Sequence, residues 1–165
     1  MLEALVIFGV TIAFLGELAY VRDTYLGRSS PNRVTFFLWS LAPFIATAAA
    51  ISEGVTWAAL PVFIVGFGPF MVLLASFTNK KAVWKLGKFD WYCGALAVLA
   101  LIMWAITQNA VIAIAFALLS DALAGIPTLK KSWTHPETET IWAYAGSAFA
   151  VLTGLLVAIV PDTIK

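Results

Sequence analysis

The stretch that decides the fold is DALAGIPTLKKSWTHP, residues 121–136, where one aspartate sits in an apolar run that ends at a proline and two lysines. A related stretch, ELAYVRDTYLGRSSP, occupies residues 17–31. A shift of 105 residues (136 − 31) superimposes the last prolines of the two stretches and then Thr35 on Thr140. In each copy an apolar helix with one acid is followed by a basic loop and an aromatic-rich segment. The sequence therefore predicts an internal repeat.

Composition places the chain in the membrane. Of its 165 residues 62% are hydrophobic and 12% charged, whereas soluble domains carry about 25% charged residues. A net charge of +1 indicates no nucleic-acid partner. The single cysteine, Cys93, and the single histidine, His135, argue against zinc and nucleophilic cysteine chemistry. We expect no cofactor, and an enzyme ranks below the other functions because no His, Cys or metal-ligand cluster accompanies the intramembrane acids.

Six apolar runs approach the roughly 20 residues that a spanning helix needs. They cover residues 2–21, 34–51, 57–77, 91–107, 110–126 and 141–160. The sequence thus predicts an all-α integral membrane protein with one transmembrane domain over residues 1–165.

The basic residues predict the orientation of these spans. Nine of the ten lie in three alternate loops, at residues 22–33, 78–90 and 127–140. Basic residues near span ends stay on the cytoplasmic side. We therefore expect a multi-pass protein of the cell's inner (cytoplasmic) membrane, with these loops inside and both termini outside.

The repeat offset equals four spans, so both copies have the same orientation, and spans one and two recur as spans five and six about an axis along the membrane normal. Parallel repeats of this kind are a known transporter construction. The chain resembles the PQ-loop superfamily, which includes the SWEET and SemiSWEET sugar transporters. Pro127-Thr128 stands where that family has Pro-Gln in the second repeat, and Arg22-Asp23 stands at the equivalent place in the first.

This resemblance implies a SWEET-like bundle with a small-molecule site between the repeats. The family has seven spans and this chain has six. A second copy of the chain, in a homodimer, is therefore a hypothesis for completing the bundle.

Apart from Glu3 at the very start of the first span, two acids lie inside predicted spans, Glu17 and Asp121. Helical spacing puts each on a stripe of small and polar residues, with Tyr20 on the stripe of Glu17. Acids in hydrocarbon usually face the bundle interior and serve function, so both are candidates to bind substrate or carry protons. The alternative is structural, with Glu17 paired to Arg22 and Asp121 paired to Lys130.

Aromatic and hydroxyl residues suggest a pocket between spans two and six. Trp39 lies near Thr35, and Trp142 and Tyr144 lie near Thr140. These side chains suit stacking on a small ligand and hydrogen bonding to it, although packing is the commoner role of such residues.

Candidate hinge or gate residues are Pro61, Gly66, Gly68 and Pro69 in PVFIVGFGPF, together with Pro127. Proline removes a backbone donor, so the third span is predicted to be kinked or broken. The alternative is a site where neighbouring helices approach closely.

Two acids near helix starts have structural interpretations. Asp90 is predicted to cap the fourth span, and the acids of HPETET, residues 135–140, are predicted to lie in a first helical turn.

These features favour a small-solute transporter or facilitator in the lipid bilayer, with proton linkage through the two acids. A non-transporting membrane receptor or assembly module is the alternative.

Overall fold

The computed structural model describes residues 2–52, 54, 60–80, 84–107 and 110–159. The predicted all-α class is confirmed, because each of the six apolar runs is helical over most of its length. In chain order the helices are α1 (Leu2–Tyr25), α2 (Arg33–Ser52), α3 (Leu60–Thr78), α4 (Lys88–Ile106), α5 (Ala110–Thr134) and α6 (Ile141–Ile159), with a 3₁₀ turn at Pro136–Thr138. The predicted span limits at residues 57 and 160, and part of the predicted loop 78–90, fall outside the described residues.

Helix α1 packs mainly on α6, and the two run antiparallel. A Cβ atom added to Gly16 would lie 2.4 Å from the carbonyl oxygen of Trp142, and one added to Gly146 would lie 2.9 Å from that of Ile12. Glycine therefore lets the two backbones touch, as small residues do at close helix crossings. The other contacts are α4 with α5, α2 with α3, α1 with α3, α2 with α5, and α2 with α4.

Helix α5 is longer than predicted. It continues through Pro127 to Thr134, so the prediction of a loop from residue 127 is wrong. Hydroxyl groups support the helix near the proline: Thr35 Oγ1 donates to the carbonyl oxygen of Ala124 at 2.7 Å, and Thr128 Oγ1 donates to Thr35 Oγ1 at 2.9 Å. Such contacts from a neighbouring helix make an internal proline tolerable.

The prediction for Asp90 is confirmed, because its side chain lies at the start of α4 and accepts a hydrogen bond from the backbone N–H of Gly87 at 2.6 Å. The other carboxylate oxygen accepts from Asn32 Nδ2 at 2.5 Å. Asn32 itself caps α2, accepting from the backbone N–H of Val34 at 3.1 Å. The starts of α2 and α4 are therefore tied together.

Helix α3 is continuous from Leu60 to Thr78 with Pro69 inside it, so of the two predicted forms, kinked or broken, the broken one is wrong. The glycines of α3 instead allow neighbouring helices to approach it closely, which is the predicted alternative. A Cβ on Gly66 would lie 3.0 Å from Pro43 Cβ and 3.1 Å from the carbonyl oxygen of Ser40, both on α2. Pro61 lies in the first turn of α3, and its side chain lies outside the described part of the structure.

Two stretches of the described residues are long and apolar enough to cross a membrane, Ala4–Tyr25 and Lys88–Ile106. Shorter apolar helices cover Arg33–Ala48, Val62–Thr78 and Ile141–Leu156. Placement of all six helices in a bilayer therefore remains a prediction.

Candidate functional site

A cavity of about 340 Å³ lies among five helices, α1, α2, α3, α5 and α6. Its size falls in the range of small-molecule sites. The lining residues are Glu17, Tyr20, Phe36, Trp39, Ala42, Pro43, Val65, Pro69, Asp121, Ala143, Tyr144 and Ser147. We call it the carboxylate cavity, because both acids singled out in the sequence line it.

Glu17 reaches the carboxylate cavity from α1. Its Oε2 atom is buried and has no hydrogen-bond partner among the described residues. Gly68 of α3 makes room for this side chain, since a Cβ at that position would lie 2.9 Å from Glu17 Cγ. A buried, unpartnered carboxylate oxygen costs free energy unless a proton or a ligand satisfies it.

Asp121 reaches the same cavity from α5 and is exposed. Neither acid forms an ion pair with the basic residue proposed as its structural partner. Within the described residues, the ion pair is the one between Lys131 and Glu139. Lys130 instead places its Nζ 4.4 Å from the centre of the Phe89 ring. The backbone oxygen of Asp121 accepts a long hydrogen bond, 3.4 Å, from Trp39 Nε1.

Four aromatic side chains form one wall of the carboxylate cavity. The ring of Phe36 packs edge to face on Tyr20, with centroids 5.1 Å apart, and on Trp39 at 5.8 Å. The ring of Tyr20 also packs edge to face on that of Tyr144, with centroids 6.2 Å apart. Tyr20 and Phe36 are 0% and 2% exposed, so Trp39 and Tyr144 are the two rings of this wall that a ligand could reach. Ring faces attract cations, so these two rings and the two carboxylates suit a ligand with positive charge.

The structure separates three other predicted pocket residues from this cavity. Trp142 is 65% exposed and does not contribute to the lining, and it is its backbone carbonyl that faces Gly16. Thr35 is fully buried and bonded to Ala124 and Thr128 of α5. Thr140 is buried and does not contribute to the lining. The rotation of each helix about its own axis decides these placements, and sequence spacing alone does not give that rotation.

Of the predicted hinge residues, Pro69 lines the carboxylate cavity and Gly68 contacts Glu17 beside it. Gly66 faces α2, and Pro127 lies inside α5 beyond the lining. No rearrangement at these positions is visible, so a hinge role stays a prediction.

A buried polar cluster that the sequence did not reveal closes one end of the carboxylate cavity. Glu139 forms an ion pair with Lys131, and its Oε2 accepts hydrogen bonds from the hydroxyl groups of Tyr20 and, at 2.9 Å, Tyr144. The side chains of Lys131 and Glu139 are 1% and 6% exposed. We call these four residues the clasp. Because both tyrosines also line the carboxylate cavity, the clasp links this cavity to the segment that joins α5 to α6.

The clasp also joins two loops. Lys131 Nζ donates to the carbonyl oxygen of Ser30 at 2.5 Å, and the backbone N–H of Ser30 donates to the carbonyl oxygen of Thr138 at 2.8 Å. Lys131 lies beyond the predicted span 110–126, and burial lowers its pKa while the Glu139 carboxylate acts in the opposite direction. Glu139 precedes α6, which corrects the prediction that it lies in a first helical turn.

Within the described residues, no group of three or more His, Cys, Asp and Glu side chains is placed to hold a metal ion. Comparison of the chain with models of protein families, with curated proteins and with solved structures gives no match. The resemblance to the PQ-loop superfamily therefore stays a prediction.

Proposed function

We propose that this protein is a six-span membrane transporter that carries a small, positively charged solute through the carboxylate cavity. The proposal is carried by one observation: Glu17 and Asp121, from α1 and α5, converge on one cavity. There a buried Glu17 oxygen has no hydrogen-bond partner in the described part of the chain. A solute ammonium group or a transported proton would satisfy that oxygen.

Membrane insertion is supported by the outward surfaces of the helices. Large apolar side chains are exposed on every helix, including Ile7 at 66%, Val65 at 66%, Leu118 at 67% and Leu156 at 57%. A water-soluble monomer rarely exposes contiguous apolar surface beyond a few hundred Å². Hydrocarbon around the bundle would cover these side chains at no cost.

The parallel-repeat hypothesis is supported by which helices pack together. If α1 and α2 of the first copy correspond to α5 and α6 of the second, exchanging the two copies turns the α1–α6 contact into the α5–α2 contact. Both contacts are present. The carboxylate cavity lies between these pairs, where a repeat-built transporter would hold its substrate. The α1–α6 contact is much the more extensive of the two, so the two proposed copies differ in packing.

A positive charge on the solute is supported by the lining. It contains two acids, four aromatic rings and the hydroxyl of Ser147, and none of its described residues is a lysine, arginine or histidine. An anionic solute would meet two carboxylates with no counter-charge, which is unfavourable in a site of low polarity.

The proposal predicts that organic cations stabilise the purified protein and that the two acids are needed for this. A ligand at 100 times its dissociation constant should add about 2.7 kcal/mol to the free energy of unfolding. Thermal unfolding in detergent, at acidic and mildly alkaline pH, would compare amines and basic amino acids with sugars, vitamins and nucleosides. Glu17→Gln and Asp121→Asn should each weaken binding of a hit about tenfold or more, since a charged hydrogen bond contributes about 1.5–3 kcal/mol.

Glu137→Gln is the matched control, because Glu137 is an exposed acid of the 3₁₀ turn outside the cavity. Transport would be established if vesicles take up the ligand found by thermal unfolding, and if this uptake is lost in Glu17→Gln and kept in Glu137→Gln. Binding that both cavity variants retain at full strength would contradict the assignment of the site. A ligand-free protein that shows no flux and copurifies with another membrane protein would favour the receptor or assembly module.

A further inference from the structure

A second cavity, unrelated to the two acids, opens between α3 and α4. Among the described residues α3 and α4 do not touch, and α2 forms the floor between them. The space measures about 660 Å³ and is lined by Arg33, Val34, Phe37, Leu38, Leu73, Phe77, Leu86, Trp91, Gly94, Ala95 and Val98. We call it the α3–α4 groove.

The walls of the α3–α4 groove are apolar and accessible from outside. Phe37 is 50% exposed, Phe77 62% and Trp91 63%. Such surface between two helices calls for an apolar occupant.

The length of the groove favours an acyl chain over another helix. Along α4 it reaches from Trp91 to Val98, which is about 10 Å at 1.5 Å per residue. A spanning helix from a second copy would run along the full hydrocarbon thickness of about 30 Å. The groove instead begins at the polar end of α2 and α4 and stops within one leaflet.

One end of the groove carries positive charge. The guanidinium of Arg33 donates through Nε to Ser76 Oγ at 3.0 Å and lies 4.2 Å from the centre of the Phe77 ring. Within the described residues Arg33 is not part of an ion pair, so no carboxylate of that part of the chain neutralises its charge. Lys85 and Lys88 are exposed on either side of Leu86, which lines the groove.

We infer that the α3–α4 groove binds one acyl chain of an anionic phospholipid whose phosphate lies against Arg33, Lys85 and Lys88. An apolar groove that ends in basic side chains at the predicted cytoplasmic interface matches the two parts of such a lipid. This inference depends on the proposed membrane location. It is independent of transport and of the carboxylate cavity.

Native mass spectrometry of the detergent-purified protein tests this inference, by titration with phosphatidylglycerol and with phosphatidylcholine of the same chains. We expect one tightly bound phosphatidylglycerol, held about fivefold more strongly than phosphatidylcholine. Arg33→Gln should remove most of that preference, because glutamine keeps a donor for Ser76 but has no charge. Arg28→Gln, at an exposed loop arginine outside the groove, should leave it unchanged.

A second pair of variants tests the groove itself. Ala95→Trp places a large ring inside it and should weaken both lipids, whereas Ala105→Trp, at an exposed position of the same helix outside the lining, should not. Equal binding of the two lipids, or no effect of Ala95→Trp, would overturn the inference. Competition by soluble glycerol phosphate alone would show a headgroup site without the acyl chain. Conversion of a dimer into a monomer by Ala95→Trp would assign the groove to a second copy. Either result also overturns it.

Discussion

Replacing Lys131 with methionine should lower the free energy of unfolding by about 3–5 kcal/mol, because it leaves the Glu139 carboxylate buried without its cation. Methionine has a similar length and fills the same space, so the loss reports on charge and hydrogen bonding. Chemical unfolding in mild detergent micelles, followed by circular dichroism, measures it. The substitution also removes the hydrogen bond to the carbonyl oxygen of Ser30.

The adjacent lysine provides the control. Lys130 is exposed and its Nζ lies over the face of Phe89, so Lys130→Met should cost no more than about 0.5–1 kcal/mol. Combining Lys131→Met with Glu139→Gln should recover part of the loss, since no net charge then stays buried. Equal effects of Lys130→Met and Lys131→Met would refute the clasp.

Replacing Gly16 with alanine should destabilise the protein by about 3 kcal/mol, near the upper end of the usual cost of overpacking. The new methyl group would lie 2.4 Å from the carbonyl oxygen of Trp142 and 3.1 Å from the Cα atom of Ala143. Both are backbone atoms that move only if α6 moves away from α1. The same unfolding measurement applies, and near-UV circular dichroism would report loosened packing around Trp142.

Gly154 of α6 is the matched site, because a Cβ atom there meets nothing within 4 Å. Gly154→Ala should be neutral or stabilising by up to about 1 kcal/mol, from helix propensity alone. A Gly16→Ala protein as stable as Gly154→Ala would mean that the α1–α6 backbones are not in contact.

The sequence was a good guide to features that depend on neighbouring residues. All six helices follow from apolar runs of spanning length, and Asp90 was recognised as a cap because capping depends on residues within one turn. It also brought out Glu17, Asp121, Trp39, Tyr144 and Tyr20, all of which line one cavity. It placed the end of α5 at Pro127, whereas the helix continues to Thr134 with hydroxyl contacts from Thr35 of α2 near the proline. It also allowed a break in the third span, whereas α3 is continuous through Pro69.

The sequence by itself determined the number and type of the helices and the uneven distribution of charge among the loops, because hydropathy and charge are properties of short segments. Only the tertiary structure decided which polar groups meet. Tyr20 and Glu139 are 119 positions apart, and Thr35 and Thr128 are 93 apart. Their contacts depend on the rotation and depth of each helix in the bundle. Side-chain packing and close glycine contacts set those quantities, and no local pattern in the chain encodes them.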